Sequence, residues 1–514
     1  MHPLRHTDVD GVPTVWTTVP GPLRAGLSVR VGAADESYLT SGITHLLEHL
    51  ALFGIGRPGD HSNGYVDQTR MVFHTEGDDQ EVRGFLDALT RQLSDLPLHR
   101  LEAERGVLRA EQKGRGTSLQ DRMDTWRYGA AGYGLNALDQ IGVQRVDAGQ
   151  LSGWSRRFAT RGNSVLWLSG PPPAGLRLHL PDGVAQPPPD PRPGLLTRCP
   201  AWFTGPDDAA SLDALIPRGY AGLALAHVLH GRLVDDLRSQ RALAYSPNAH
   251  YRPLTADVAR LAAYTDLVTE RAPEAVRPFL EALKSLTGEG DPTGSKGVAE
   301  PVEVARWRTR MQRQTLDPAH GLSRLAEAAW ELLHDRDPVG VEQSDAQIAA
   351  VDPESVAEVA RHACGSLLAQ LPPGTAPGPD GWTPVPLSVH PRLVGQRFHS
   401  RHQDERSTQT ITVGASGITM GVDSEHLSIP VAATVAVLRW SDGGRTLVGR
   451  DGNRLPVEPT LWRGGADLVR QLDRLWPSEL FVDQGSRPPS SIPQPGPAPA
   501  RRRWWHRNRP NRPG

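Results

Sequence analysis

Apolar residues recur along this 514-residue chain at two different spacings. From residue 40 to residue 53 (TSGITHLLEHLALF) they fall at helical spacing, and Thr40 or Ser41 stands where a helix would begin. Residues 100–113 (RLEAERGVLRAEQK) are amphipathic and free of proline, which predicts a second helix. A long apolar helix is expected from residue 221, ending near Arg238. Further helices are expected at 270–286, 319–334 and 344–364, with Asp352-Pro353 as a natural start in the last. Strand-like runs occur at 164–168, 410–413, 418–422, 434–440, 446–448 and 455–457. The last five alternate with hairpin signals at 441–445 (SDGGR) and 451–453 (DGN), and a helix at 464–475 closes that group.

Composition divides the chain. It is too long for one hydrophobic core. Two Pro-rich stretches, 171–197 and 372–395, read as stiff, extended crossings between folded units. The expected units are therefore 1–170, 198–371 and 396–485, followed by a tail over 486–514. The tail is Pro-rich, ends in RRRWWHRNRPNRPG and is expected to be disordered. Its arginines and tryptophans could touch acidic lipid or nucleic acid, but a solvated basic end explains them equally well. The net charge of −2 gives no global attraction to nucleic acid or membrane, so no specific nucleic-acid partner is expected. Cys199 and Cys364 are far apart and in no metal-like spacing, so both read as ordinary thiols. The first residues (MHPLRHTDVDG) contain no apolar signal core, and no 18-residue apolar run follows, so a cytoplasmic location is expected.

The chemistry concentrates in the first predicted helix. His45 and His49 are one turn apart and face the same way, a spacing at which two imidazoles can hold one zinc ion. Glu48 stands between them in the order H-x-x-E-H, the inverse of the commoner zinc-peptidase motif. Such histidine pairs also occur as packed core residues, so the motif needs a third ligand. Glu111 on the next acidic helix is the candidate ligand, and Glu104, two turns earlier on the same face, is a supporting carboxylate. By itself that helix reads more readily as a solvated acidic face, as most such helices are.

Residues 29–54 resemble the N-terminal core of the pitrilysin/insulinase family, the inverzincin zinc metallopeptidases, in which a strand and a Gly-x-x-x-Glu turn lead into the H-x-x-E-H helix. The family's later E-R-x-x-V-x-x-E element is similar to Glu104–Glu111 here, with the valine, Val107, one place early. The resemblance implies zinc on His45, His49 and Glu111, with Glu104 as the auxiliary acid. The gap from His49 to Glu111 is shorter than the family norm by about a dozen residues, near 56–61. Ser62-Asn63-Gly64-Tyr65-Val66-Asp67 resembles the family's edge strand, to which a peptide substrate adds as a further strand. Asn63, Gly64 and Tyr65 are thus candidate substrate contacts, although Asn-Gly is also ordinary hairpin chemistry. Residues 238–246 resemble the family's C-terminal signature, in which an arginine and a tyrosine seven residues apart bind substrate carbonyls. They correspond to Arg238 and Tyr245.

The resemblance implies an α+β fold of two similar halves, each an antiparallel sheet with helices on one side. The third unit looks like a small pleckstrin-homology-like β domain with a closing helix. The implied activity is zinc-dependent endopeptidase cleavage of peptides or unfolded segments, with Glu48 as general base. Relatives with two domains per chain dimerise into a clamshell, which implies a homodimer, or a heterodimer with a related chain. The alternative is a catalytically silent scaffold or partner subunit.

Overall fold

The computed structural model describes residues 3–55, 61–114, 116–192, 195–196, 198–288, 298–316, 320–375, 378–401, 409–422 and 425–496. The first half is a sheet of β1 (Arg5–Val9), β2 (Val12–Trp16), β3 (Leu23–Val29), β4 (Asn63–Val66), β5 (Met71–Gly77) and β6 (Ser164–Leu168), in the order β1-β2-β6-β3-β5-β4. Its helices are α1 (Ile43–Leu52), α2 (Asp79–Ser94), α3 (Leu101–Gly114), α4 (Leu119–Tyr128) and α5 (Ala148–Phe158). Leu27, Val29 and Phe73 from the sheet pack with Leu46, Leu50, Leu86, Leu89, Leu108 and Leu151 from α1, α2, α3 and α5 in one core. Asp78 starts α2 with a reciprocal cap: its carboxylate accepts from Gln80 and Glu81, while Glu81 accepts from the Asp78 N–H.

The second half repeats this plan. Its strands are β7 (Ala201–Thr204), β8 (Ala209–Pro217), β9 (Asn248–Pro253), β10 (Val258–Asp266), β11 (Leu368–Leu371) and β12 (Thr383–Pro384), in the order β12-β7-β11-β8-β10-β9. Its helices are α6 (Tyr220–Leu233), α7 (Ala272–Lys284), α8 (Pro301–Leu316), α9 (His320–Leu333), α10 (Val341–Ala350) and α11 (Pro353–Cys364). The five strands β7-β11-β8-β10-β9 match β2-β6-β3-β5-β4 pair for pair, in position and in sense. In both, one adjacent pair is parallel, because the last long strand returns beside the first only after a helical crossover. Neither the repeat nor the parallel pair is visible in the letters.

The expected one-sided helical layer holds within each half, and the other face of each sheet is covered by a helix from the opposite half. Leu325, Ala328, Ala329 and Leu333 of α9 pack on Val15 and Val165 of the first sheet. Met123 and Trp126 of α4 pack on Ala201, Phe203 and Leu368 of the second. Below them Asp213 accepts from both Arg127 and Arg260, and Asp124 accepts from Arg260, all four side chains being buried.

The third unit has one sheet of β13 (Gln396–His399), β14 (Thr410–Gly414), β15 (Gly417–Val422) and β16 (Glu425–Pro430). A second sheet holds β17 (Thr434–Arg439), β18 (Arg445–Gly449), β19 (Arg454–Val457) and β20 (Phe481–Asp483), with α12 (Gly465–Leu475) closing the core.

Several local expectations differ from the structure. The 171–197 crossing is extended, yet Leu176, Leu178 and Leu180 are buried in the first core, so it is a packed strap. The 344–364 stretch is two helices, α10 and α11, broken at Val351-Asp352 where Asp352 caps the second. Residues 486–496, expected to be disordered, are held in part by Arg487, which bridges Glu458 and Asp442 and lies over Trp440. Residues 497–514 of the tail and 56–60 of the shortened segment lie outside the described residues. Among the described residues no helix is long and apolar enough to cross a membrane.

Candidate metal centre

α1 runs from the third strand of the first sheet toward its edge. Neither Thr40 nor Ser41 caps it. Gly42 is the cap residue, with φ of 89° that favours glycine, and the carboxylate of Glu36 accepts from the N–H groups of Gly42 (2.7 Å) and Thr44 (3.0 Å). Burial pushes the Glu36 carboxyl up to about 7, against these two hydrogen bonds, which pull it down.

Leu46, Leu47 and Leu50 point into the core, which turns the other face of α1 toward α3. On that face His45 Nε2 lies 3.7 Å from one oxygen of Glu111, and His49 Nε2 lies 3.8 Å from the other. The two imidazoles meet edge to face with centroids 4.9 Å apart. One donor atom from each of His45, His49 and Glu111 falls within a common 4.8 Å. A tetrahedral ion bound at about 2.1 Å needs donors about 3.4 Å apart, so these side chains fit zinc once they close in by up to about an ångström. Glu111 is half exposed, which leaves one side of the cluster open.

The far ring nitrogens are also engaged. His49 Nδ1 donates to Glu104 (3.4 Å), whose other oxygen accepts from Arg100. His45 Nδ1 donates to the amide oxygen of Gln140 (3.2 Å), which Gln112 also approaches (3.1 Å). With Nδ1 donating, each Nε2 carries the lone pair a metal requires. Gln140 and Gln112 are absent from the sequence reading. An amide in a loop has no periodicity to mark it, and only the fold brings it to His45.

Glu48 lies 3.9 Å from His45 Nε2 and 3.8 Å from His49 Nε2. Burial pushes its carboxyl up to about 7; His49 pulls it back and Glu111 adds to the rise. β4 passes directly over it. A Cβ on Gly64 would sit 2.5 Å from Glu48 Oε1, so the strand comes this close only because residue 64 has no side chain. β4 is the sheet edge, as expected, and its outward row of backbone groups starts beside Glu48. Tyr65 is exposed, and Asn63 turns its side-chain oxygen back to the Gly64 N–H.

Arg238 and Tyr245 lie in the second half. α6 does not run on to Arg238 as an α-helix; it passes at Val234 into a wider π-helical stretch, Val234–Gln240. The Arg238 guanidinium stands 5.4 Å from the Tyr245 ring centre, and Tyr245 is 74% exposed. No hydrogen bond, ion pair or ring contact among the described residues joins this pair to the histidine cluster.

Compared with known proteins, the sequence matches no family model and no curated relative. Solved structures do match the fold. A protease from Helicobacter pylori superposes with a TM-score of 0.60 at 15% identity, over 72% of this chain and 100% of that one. A peptidase M16 inactive domain from Pseudomonas fluorescens gives 0.56 at 13%, over 72% and 98%. The first half of the periplasmic protease PqqL from Escherichia coli gives 0.56 at 14%, over 72% and 91%. At such identities the likeness speaks for architecture, and the chain has the fold of the M16-like peptidases.

Proposed function

We propose that this chain is a zinc-dependent endopeptidase acting on peptides or unfolded segments. The observation that carries the reading is the convergence of His45 Nε2, His49 Nε2 and Glu111 within 4.8 Å, with Glu48 alongside. His45, His49 and Glu111 would hold the ion. Zinc in such a site acidifies a bound water and polarises the scissile carbonyl. Glu48 stays outside the ligand set, takes a proton from the attacking water and returns it to the leaving amine. Glu104 and Gln140 hold the two rings in the tautomer that coordination needs. An extended peptide would add to the edge of β4, where main-chain hydrogen bonds bind without demanding a particular sequence.

Arg238 and Tyr245 would hold substrate carbonyls. Both are solvent-facing and neither touches the histidines of its own chain, which supports a dimer in which each zinc faces the pair from the partner subunit. In that case Arg238→Ala and Glu48→Gln proteins, each inactive alone, regain activity when mixed under conditions of subunit exchange. No recovery would refute the shared site. The third unit is proposed to be a pleckstrin-homology-like docking or contact module, and the location to be cytoplasmic.

Zinc content and peptide cleavage, measured on wild type and Glu48→Gln, test the central reading. About one zinc per chain in both, with cleavage lost only in the variant, is the expected result. No zinc in either protein overturns the reading and leaves the silent scaffold.

A further inference from the structure

The third unit sits against the first half close to α1. It meets the end of α4 and the turn after it, where the Ala130 N–H donates to the Arg450 carbonyl (2.9 Å) and Leu135 joins the apolar contact. It also meets two short segments beside the site. One is Tyr38–Ser41, immediately before α1. The other is Leu138–Arg145, which carries Gln140, the partner of His45. An apolar seam joins them to the second sheet of the third unit: Tyr38, Leu138, Leu39 and Ile141 pack with Ala436, Leu438, Trp440 and Val448. Polar contacts fix the register. Arg454 on β19 donates to the Tyr38 hydroxyl (3.0 Å) and pairs with the Asp139 carboxylate (3.4 Å). Arg145 donates to the carbonyls of Glu479 and Phe481. The two segments also hold each other, since the Gly142 N–H donates to Ser41 Oγ (3.4 Å) and Ser41 Oγ donates to the Tyr38 carbonyl (2.8 Å).

From this arrangement we infer that the third unit is a built-in support of the metal centre, acting through Arg454, Asp139 and Gln140 on His45. Asp139 and Gln140 are adjacent in the chain. A charge-assisted contact on the first therefore restricts where the second can place its amide. Gln140 Oε1 in turn fixes the ring orientation of His45, and outer-shell partners of this type set metal affinity as well as geometry. Gln140 and Arg454 are thus positioning residues. The third unit does more than recruit, because its removal would expose the apolar seam and release the Gln140 loop.

The inference rests on His45 as a metal ligand, and its test separates the two. The readout is the zinc dissociation constant of the full chain, from competition with a chromogenic chelator, alongside thermal unfolding. Gln140→Leu is expected to weaken zinc binding about tenfold or more, and Gln140→Glu, which keeps an acceptor for Nδ1, to restore most of it. Arg454→Ala is expected to weaken binding in the same direction by a smaller factor. In the Gln140→Leu background it should have no further effect, because both act through one contact. Arg470→Ala, which cuts an exposed ion pair with Asp467 on α12, should leave zinc affinity unchanged. Wild-type zinc binding with unchanged affinity in Gln140→Leu and Arg454→Ala overturns the inference and leaves the metal reading intact. Additive losses in the double variant overturn the proposed route through Gln140. Absence of zinc from the wild type overturns both readings.

Discussion

The two halves share five strands in one order, but what lies between the third strand and the edge strand differs. In the first half that place holds α1, ten residues long, with His45, Glu48 and His49 on the face turned from the core. In the second half it holds α6 and its π-helical extension, where Leu225, Leu229, Leu233 and Leu237 fill the core. The fold requires only an apolar stripe at this position, and both helices supply it. The chemistry requires three side chains within one turn of helix and a fourth on a facing acidic helix, and among the described residues only the first half has them. The two halves share the packing and differ in the groups they place on it.

The strongest break in this comparison is at Glu48. Glu48→Gln is nearly isosteric and removes the base but not the ligands, so cleavage should fall about 10³-fold or more while zinc is retained. Since Glu48 is buried with its carboxyl pushed up from 4.5 to about 7, the metal-free protein loses stability as pH rises from 4.5 toward 7, and the loss is complete above 7. The metal-free variant should therefore unfold at a higher temperature than metal-free wild type at pH 8. An unchanged unfolding temperature would count against a buried, destabilised carboxylate.

The seams between the halves differ as well. α4 meets the second sheet through apolar contacts and a buried cluster of charges, whereas α9 meets the first through apolar contacts. Asp213 is shared by two buried guanidiniums. Asp213→Ala leaves both with too little compensation, and about 3–5 kcal/mol of stability should be lost, measured as a shift in the denaturant midpoint. A loss below about 1 kcal/mol would mean that water replaces the carboxylate without strain. Back at the metal centre, Gly64→Ala drives a methyl group toward Glu48 Oε1 and should lower kcat about tenfold to a hundredfold with little change in zinc content. A matched loss of zinc would show that the strand supports the ligands themselves.

How much of this could be read from the letters depended on how local each feature is. Helix geometry alone puts the histidine pair on one face of α1, and Glu104 with Glu111 on one face of α3. That the two faces meet was implied only by the family resemblance, and the fold brings them together. The strands at 410–413, 418–422 and 455–457 were marked by alternation and glycine turns. β13 was not, because of its four residues only Phe398 is buried. α4 was not either. Its sequence LQDRMDTWRY reads as solvated, yet Asp124 and Arg127 are buried because the opposite half supplies partners for them. Gln140 belongs to the same class: its role exists only through contacts distant in sequence.

The smallest expected effect tests the apolar seam. His334 follows α9, stacks on Trp330 with centroids 3.7 Å apart and donates from Nδ1 to the Trp330 carbonyl (2.7 Å). Burial is the main force pushing its pKa down to about 4, and Arg30 and Arg218 push the same way. The carbonyl bond and Glu331 oppose them. The folded state therefore favours the neutral ring, whereas the unfolded chain takes up a proton near pH 6.5. The stability this gives is fully present above pH 6.5 and is lost as pH falls toward 4. Between pH 7 and pH 5.5 the loss from this one group should be about 1 kcal/mol, small beside that of Asp213→Ala but different in kind, because the ionic seam of α4 has no histidine to titrate. His334→Gln should flatten the acid limb of the stability curve over that interval, while a surface change such as Arg470→Ala should leave its slope intact. If His334→Gln leaves the slope as it was, the ring is protonated in the folded protein, and the seam under α9 is wetter than its packing shows.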